Sequence, residues 1–322
     1  MDRAVTLMKK HGSDKYTRDA LKTVEAEIRA ELLMQPFEHI NKLHTKYHEL
    51  MMPCFDHWLQ VPKQKYDIIE EGMHTCMTWT MLVDDIQDDS YYRFGVPSAQ
   101  QAFGVPLTLN AANKALFLGQ KQVADSGHPS ALSILWRVHE EFFQGQGIDL
   151  YWRENNIIPT EDAHIEMTFK KSGSWFALPV ELMQLFSGNT TDYSPLAYYI
   201  GAYYTMLDDY YNLFQPSALQ RLATHTKREN YAPPNDITES KMTLSIIHAS
   251  QFPDVASELI DILKQRTSDL KLVNRALSLI KKHGSDEHAR DVLKKIEAEI
   301  RAEIDRLGGN PKLVAYMDAL SL

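Results

Sequence analysis

Residues 81–89 read MLVDDIQDD and residues 206–213 read MLDDYYNL, and the reading of the chain turns on these two stretches. Each sets polar oxygen donors at i and i+4, Asp84 with Asp88 and Asp208 with Asn212. On a helix that spacing puts both groups on one face, about one turn apart. An apolar run leads into each cluster, so the acids end a buried stripe instead of lying along a solvated face. Hard oxygen ligands suit Mg²⁺, which keeps several waters and is held by one or two carboxylates plus substrate phosphates. Two such clusters facing each other can hold a diphosphate through bridging metal ions. A single cluster reads almost as well as an acidic helix end; a matched pair does not.

Working outward, the 322-residue chain is long enough for one large domain or two ordinary ones. With 44% hydrophobic and 24% charged residues it has the profile of a globular protein with a sizeable core. A net charge of −9 lacks the basic footprint of a nucleic-acid binder. Cys54 and Cys76 read as reduced thiols of a cytoplasmic protein, and no run of eighteen apolar residues marks a membrane span.

Apolar residues recur at three and four through 32–59, 65–89, 108–125, 129–147, 161–187, 193–214, 241–265 and 270–306. Prolines fall between or at the ends of these segments, and no stretch alternates as a strand. The pattern predicts an all-α domain, many helices around a central apolar pocket. The irregular segment at about 215–240, directly after the second acidic cluster, reads as a lid. Residues 3–31 recur as 275–303, with 20 of 29 positions identical. Each copy predicts helix, a His-Gly-Ser-Asp break, and a second helix with Ser or Asp as N-cap. The division expected is an appendage over 1–31 and one domain over 32–322.

Further segments sharpen this reading: DDIQDDSYYRFGVP (84–97), FGVPLTLNAAN (103–113), GQGIDLYWRENNIIPTE (145–161), FKKSG (169–173), LMQLFS (182–187), NDITESK (235–241) and GGNPKLVAYMDAL (308–320). In this order, with the two acidic clusters, they resemble the trans-isoprenyl diphosphate synthase family, animal geranylgeranyl diphosphate synthases in particular. The resemblance covers about 30–320. It implies an isoprenoid synthase-type helical bundle, a homodimer, and Mg²⁺, three ions when diphosphate is bound. By it, Asp84, Asp85, Asp88, Asp149, Asp208 and Asn212 are metal ligands. Arg93, Lys171, Ser172 and Lys241 take the substrate diphosphate. Asp84, Asp88, Lys171 and Asp208 carry the ionisation.

The half of the site that holds isopentenyl diphosphate in chain-elongating relatives departs from the pattern. The Gly-Lys-x-x-Arg segment is Thr45-Lys46-Tyr47-His48-Glu49 here. The His seven before the first acid is Met77, the second of the paired arginines is Phe94, and the Gln before the second motif is Thr205. A charge-assisted hydrogen bond is worth about 1.5–3 kcal/mol, so losing several loosens a second diphosphate. This mixture resembles the insect-type terpene synthases derived from the family. Met77, Trp79, Thr80, Phe142, Tyr204 and Thr205 are the expected pocket residues, with Tyr203, Phe143, Trp175 and Phe176 as further candidates. The function expected is ionisation and cyclisation of a prenyl diphosphate, geranylgeranyl before farnesyl. Two rivals stand beside it: a prenyltransferase whose second site uses Lys42, Lys46 and His48, and a non-catalytic subunit that modulates a paralogue.

Overall fold

A computed structural model describes residues 32–43, 47–215 and 235–322, with Lys15, Thr17 and Asp19 before them. The rest of the duplicated segment 1–31, residues 44–46 and most of the expected lid (216–234) lie outside the described residues, as do the side chains of 47–49.

The described chain is helical apart from one two-residue ribbon. In order come α1 (Gln35–Asn41), α2 (Tyr47–Leu59), α3 (Lys63–Asp88), β1 (Tyr92–Arg93), β2 (Val96–Pro97), α4 (Ala99–Phe103), α5 (Val105–Ala124) and α6 (Ala131–Asn155). There follow α7 (Glu161–Thr168), a π-helical turn (Phe169–Gly173), α8 (Ser174–Gln184), α9 (Ser194–Phe214), α10 (Asn235–Thr238) and α11 (Leu244–Ala249). The chain ends in α12 (Pro253–Leu263), α13 (Leu270–Lys281), α14 (Ser285–Arg306) and α15 (Pro311–Leu320). The all-α expectation holds.

Local chemistry sets the boundaries. Asp89 and Asn156 take left-handed backbone after α3 and α6, a conformation Asp and Asn tolerate better than other non-glycine residues. Thr160, Thr243, Asp269 and Asn310 accept from first-turn amides of α7, α11, α13 and α15. Three expected boundaries shift. The helix predicted to end at 147 runs to Asn155, so Asp149 and Arg153 share one rigid rod. The helix predicted over 241–265 breaks between Ala249 and Pro253. The break after Lys281 falls where the repeat predicts it, but Gly284, with left-handed backbone, stands at the N-cap. Ser285 is instead buried and bonded to His248 Nδ1 at 2.9 Å.

The main core runs from Met34 to Leu320 and draws on α3, α5, α6, α8, α9 and α14; a second, around Ile246, Leu259 and Ile280, joins α11–α13. The Gly-Gly-Asn segment docks the end of the chain onto α2. Asn310 Nδ2 donates to the Cys54 carbonyl at 2.8 Å, and Trp58 Nε1 donates to that of Gly309 at 3.0 Å. No helix among the described residues is long and apolar enough to cross a membrane.

Candidate active site

The 26-residue α3 rises about 39 Å and ends in the first acidic cluster. Three elements bring cations to it. The β1–β2 ribbon, which the sequence reading missed, turns at Phe94 and Gly95, both at positive φ. It lays Arg93 back on α3, with Nη2 2.9 Å from Asp84 Oδ2 and 2.6 Å from Asp85 Oδ1. Helix α6 contributes Arg153, ion-paired with Asp88 and 3.8 Å from Asp149; both Arg153 and the Asp88 carboxylate are buried. The π-turn contributes Lys171, whose Nζ lies 2.7 Å from Asp149 Oδ2 and 3.9 Å from Asp84 Oδ1. Gly145 makes that meeting feasible: a Cβ there would stand 2.4 Å from the Lys171 backbone nitrogen, so only glycine lets α6 and the π-turn come this close. Gln146 completes the set, donating to Asp84 and Gln87.

Burial and charge oppose each other in this cluster. Burial disfavours a charged Asp84, but Lys171, Arg93 and Lys241 outweigh it and hold the carboxyl well below its ordinary range. Asp149 is lowered likewise by Lys171 and Arg153. In Asp85 burial wins and the pKa rises to about 6. Asp88 also rises to about 6, through burial and the neighbouring Asp84 charge.

The second cluster is more acidic than the sequence reading had it. On α9, Asp208, Asp209 and Asn212 are half-buried. Asn212 Oδ1 accepts from the Asp236 amide at 3.3 Å, which draws α10 and its carboxylates in beside them. Lys241 Nζ lies 3.4 Å from Asp236 and 3.2 Å from Glu239, and Glu239 accepts from Ser90 Oγ at 3.0 Å. Ser90 follows the first cluster, so this contact ties the two acidic regions together. Burial pushes Asp209 up to about 7 and Asp236 further, and Asp236 Oδ2 is buried without a partner.

Arg153, Gln146, Asp209, Asp236 and Glu239 were not singled out in the sequence. Arg153 left one signal, its i+4 spacing from Asp149.

Of the expected pocket residues, Met77 and Thr80 lie two turns and one turn before Asp84 on the same face of α3 and are buried. The Thr80 hydroxyl donates to the Met77 carbonyl at 2.8 Å, so its hydrogen-bonding capacity is turned toward its own helix. Trp79 is 2% exposed and packs against Phe142 at 6.0 Å, Phe143 at 5.8 Å and Trp175 at 6.0 Å between ring centroids. Tyr204 is half-buried against Phe176, and Thr205 beside it is half-buried. Ser172 follows Lys171 on the π-turn, half-buried. Tyr203 is misplaced by the sequence reading. Its hydroxyl donates to Glu297 and the Leu320 carbonyl, because one step along α9 turns the side chain about 100° toward α14.

The donor set is all oxygen, which fits a hard divalent cation. Among the described residues no three of these groups converge as a ready cage, because Arg93, Arg153 and Lys171 stand between the carboxylates. A diphosphate-bridged Mg²⁺ needs only one or two carboxylates each, so the donors fit that group without a cage.

Comparison with known proteins agrees with this architecture. The family model described as polyprenyl synthetase matches residues 30–280. A terpene synthase of Matsumurasca onukii is 38% identical over 90% of this chain and 93% of its own length. A geranylgeranyl pyrophosphate synthase of Mucor circinelloides is 34% identical over the same shares, and one of Penicillium janthinellum 37% identical over 84% of this chain and 73% of its own. The chain belongs to the polyprenyl synthetase family, the trans-isoprenyl diphosphate synthases, and is an enzyme of isoprenoid biosynthesis.

Proposed function

We propose that this enzyme is a Mg²⁺-dependent terpene synthase: it ionises a single prenyl diphosphate, guides ring closure of the cation, and releases diphosphate. One observation carries the reading. The ionising half of the site, Asp84, Asp88, Asp149, Arg93 and Lys171, forms one connected cluster, while the second-diphosphate half has Met77, Phe94 and Thr205 where elongating relatives have His, Arg and Gln.

Asp84, Asp85, Asp88 and Asp149 on one side, and Asp208 and Asn212 on the other, would hold magnesium, three ions with substrate bound, which would supply positive charge against the leaving diphosphate. Arg93, Lys171 and Lys241, with Ser172, donate to the diphosphate oxygens as charge leaves the C–O bond. Thr80, Met77 and Thr205 give the neighbouring wall few polar groups to trap the cation, and burial keeps water away from it. The whole-chain likeness to geranylgeranyl diphosphate synthases favours a geranylgeranyl over a farnesyl chain. The rings around Trp79, about 7.5 Å along α3 from Asp84, are the feature that would shorten the pocket toward farnesyl.

Val105, Leu109 and Phe117 on α5 and Trp136, Phe143 and Tyr151 on α6 form exposed stripes at helical spacing on packed helices. A homodimer would cover them. The buried free thiols Cys54 and Cys76 accord with a cytoplasmic setting.

Elongation is the second reading, favoured by the relatives named geranylgeranyl pyrophosphate synthase. Product analysis separates the two. Purified protein with Mg²⁺ and farnesyl or geranylgeranyl diphosphate alone should give a hydrocarbon or terpene alcohol. A longer prenyl diphosphate, formed only when isopentenyl diphosphate is added, would establish elongation instead.

A further inference from the structure

The aromatic cluster beneath the acids contains one group that the reading above leaves without a task. His139 on α6 is 6% exposed, and its ring lies 5.0 Å from that of Trp79 and 5.5 Å from that of Trp175. Its Nε2 is buried without a hydrogen-bond partner, and so is the indole Nε1 of Trp175. A buried polar atom left unpaired forfeits its hydration without compensation, so a leucine or phenylalanine would serve packing better here. Phe142, Gln146, Asp149 and Arg153 lie with His139 within about 80° of arc on α6, so the imidazole shares the face that carries the metal-side carboxylate. It stands ten residues before Asp149, a rise of about 15 Å. A prenyl chain anchored at the acids and running along this face of α6 would bring its tail to that depth.

We infer that His139 is the proton acceptor that ends the reaction, taking a proton from the cyclised carbocation on Nε2. The inference rests on the terpene synthase reading. A C–H bond next to the cationic carbon breaks, its electron pair becomes a C=C bond, and the proton joins the Nε2 lone pair. The imidazolium passes the proton to the departing diphosphate or to water as the product leaves. Trp79, Phe142, Phe143 and Trp175 offer no basic lone pair, because an indole nitrogen is a donor only, so His139 is the one base of this ring cluster. Burial pushes its pKa down to about 4, which keeps the lone pair available at neutral pH. The two indoles beside it border both the substrate cation and the imidazolium that replaces it.

The test uses full-length protein, Mg²⁺ and the prenyl diphosphate that the wild type consumes. For wild type, His139→Phe and His139→Gln, products are quantified by gas chromatography per diphosphate released. Both variants should lose the principal hydrocarbon by about tenfold or more relative to alcohols and isomeric olefins, since neither side chain accepts a proton. An unchanged product ratio in folded variants would overturn the assignment. A second measurement needs no variant. An ammonium analogue of the prenyl cation, bound with diphosphate to histidine-labelled wild type, should shift the ¹⁵N resonance of His139 Nε2; an unmoved resonance would overturn it. A wild type that only elongates with isopentenyl diphosphate would instead remove the reading beneath it.

Discussion

The two acidic regions are alike in sequence and unlike in surroundings. Around the first, Asp84, Asp85, Asp88 and Asp149 meet Arg93, Arg153 and Lys171 in ion pairs, and the outer members are held ionised. Around the second, Asp208, Asp209, Asp236 and Glu239 gather about Lys241, and Asp209 and Asp236 hold their protons more tightly than free carboxyls. The first therefore keeps Asp84 and Asp149 firmly charged beside Asp85 and Asp88, which rise only to about 6, while in the second Asp209 rises to about 7 and Asp236 further. That division of labour suits a site where one wall positions the diphosphate and the other closes on it.

Removing a member of the charged wall should have the largest effect. Asp84→Ala should lower turnover by about 10³-fold or more, roughly 4 kcal/mol of barrier, measured as diphosphate release with saturating Mg²⁺. A loss under tenfold would show that Asp84 holds no catalytic charge. Arg153→Ala leaves the buried Asp88 carboxylate without its partner and should destabilise the protein by about 3 kcal/mol, read from denaturant unfolding. Near-wild-type stability would mean that the pair is not buried in solution. Gly145→Ala sets a Cβ against the Lys171 backbone and should cost about 2 kcal/mol, with turnover falling about tenfold as Lys171 moves off Asp149. The smallest effect is in pH. Asp85, Asp88 and Asp209 have folded pKa values of about 6, 6 and 7, above the unfolded value of about 4, so the folded state binds more protons between these limits. From pH 7.5 to 5.5 these carboxyls favour the folded state by about 3–4 kcal/mol. Buried His139 and His164, with folded pKa values of about 4, oppose it by about 2–3 kcal/mol, so the metal-free protein should gain about 1 kcal/mol of stability. Asp84 and Asp149, held low, act in the opposite sense and only at more acid pH. A melting temperature that falls steadily over that range would contradict these environments.

The fold was legible because a three-and-four apolar period has few other solutions, and the acids of Met81–Asp89 stood out because charge at the end of a buried stripe is costly unless used. What was hidden depended on long-range placement. Arg153 reads as an ordinary basic helix end until α6 is seen to continue past residue 147 and to lie beside Asp88. The ribbon that carries Arg93 is two residues per strand, too short for a period to register. Tyr203 and Tyr204 are adjacent aromatics on one helix, and only packing against α14 assigns the first away from the site. His139, polar in an apolar face, was passed over because a sequence does not say which nitrogens find partners.

The central claim is that this site ionises one prenyl diphosphate without a second substrate. The most direct measurement is the rate of diphosphate release from farnesyl and from geranylgeranyl diphosphate, with Mg²⁺, across a titration of isopentenyl diphosphate from zero. Release should run at full rate from at least one of them at zero isopentenyl diphosphate, unchanged or inhibited as it is added. Release that begins only with isopentenyl diphosphate and saturates with it would contradict the account.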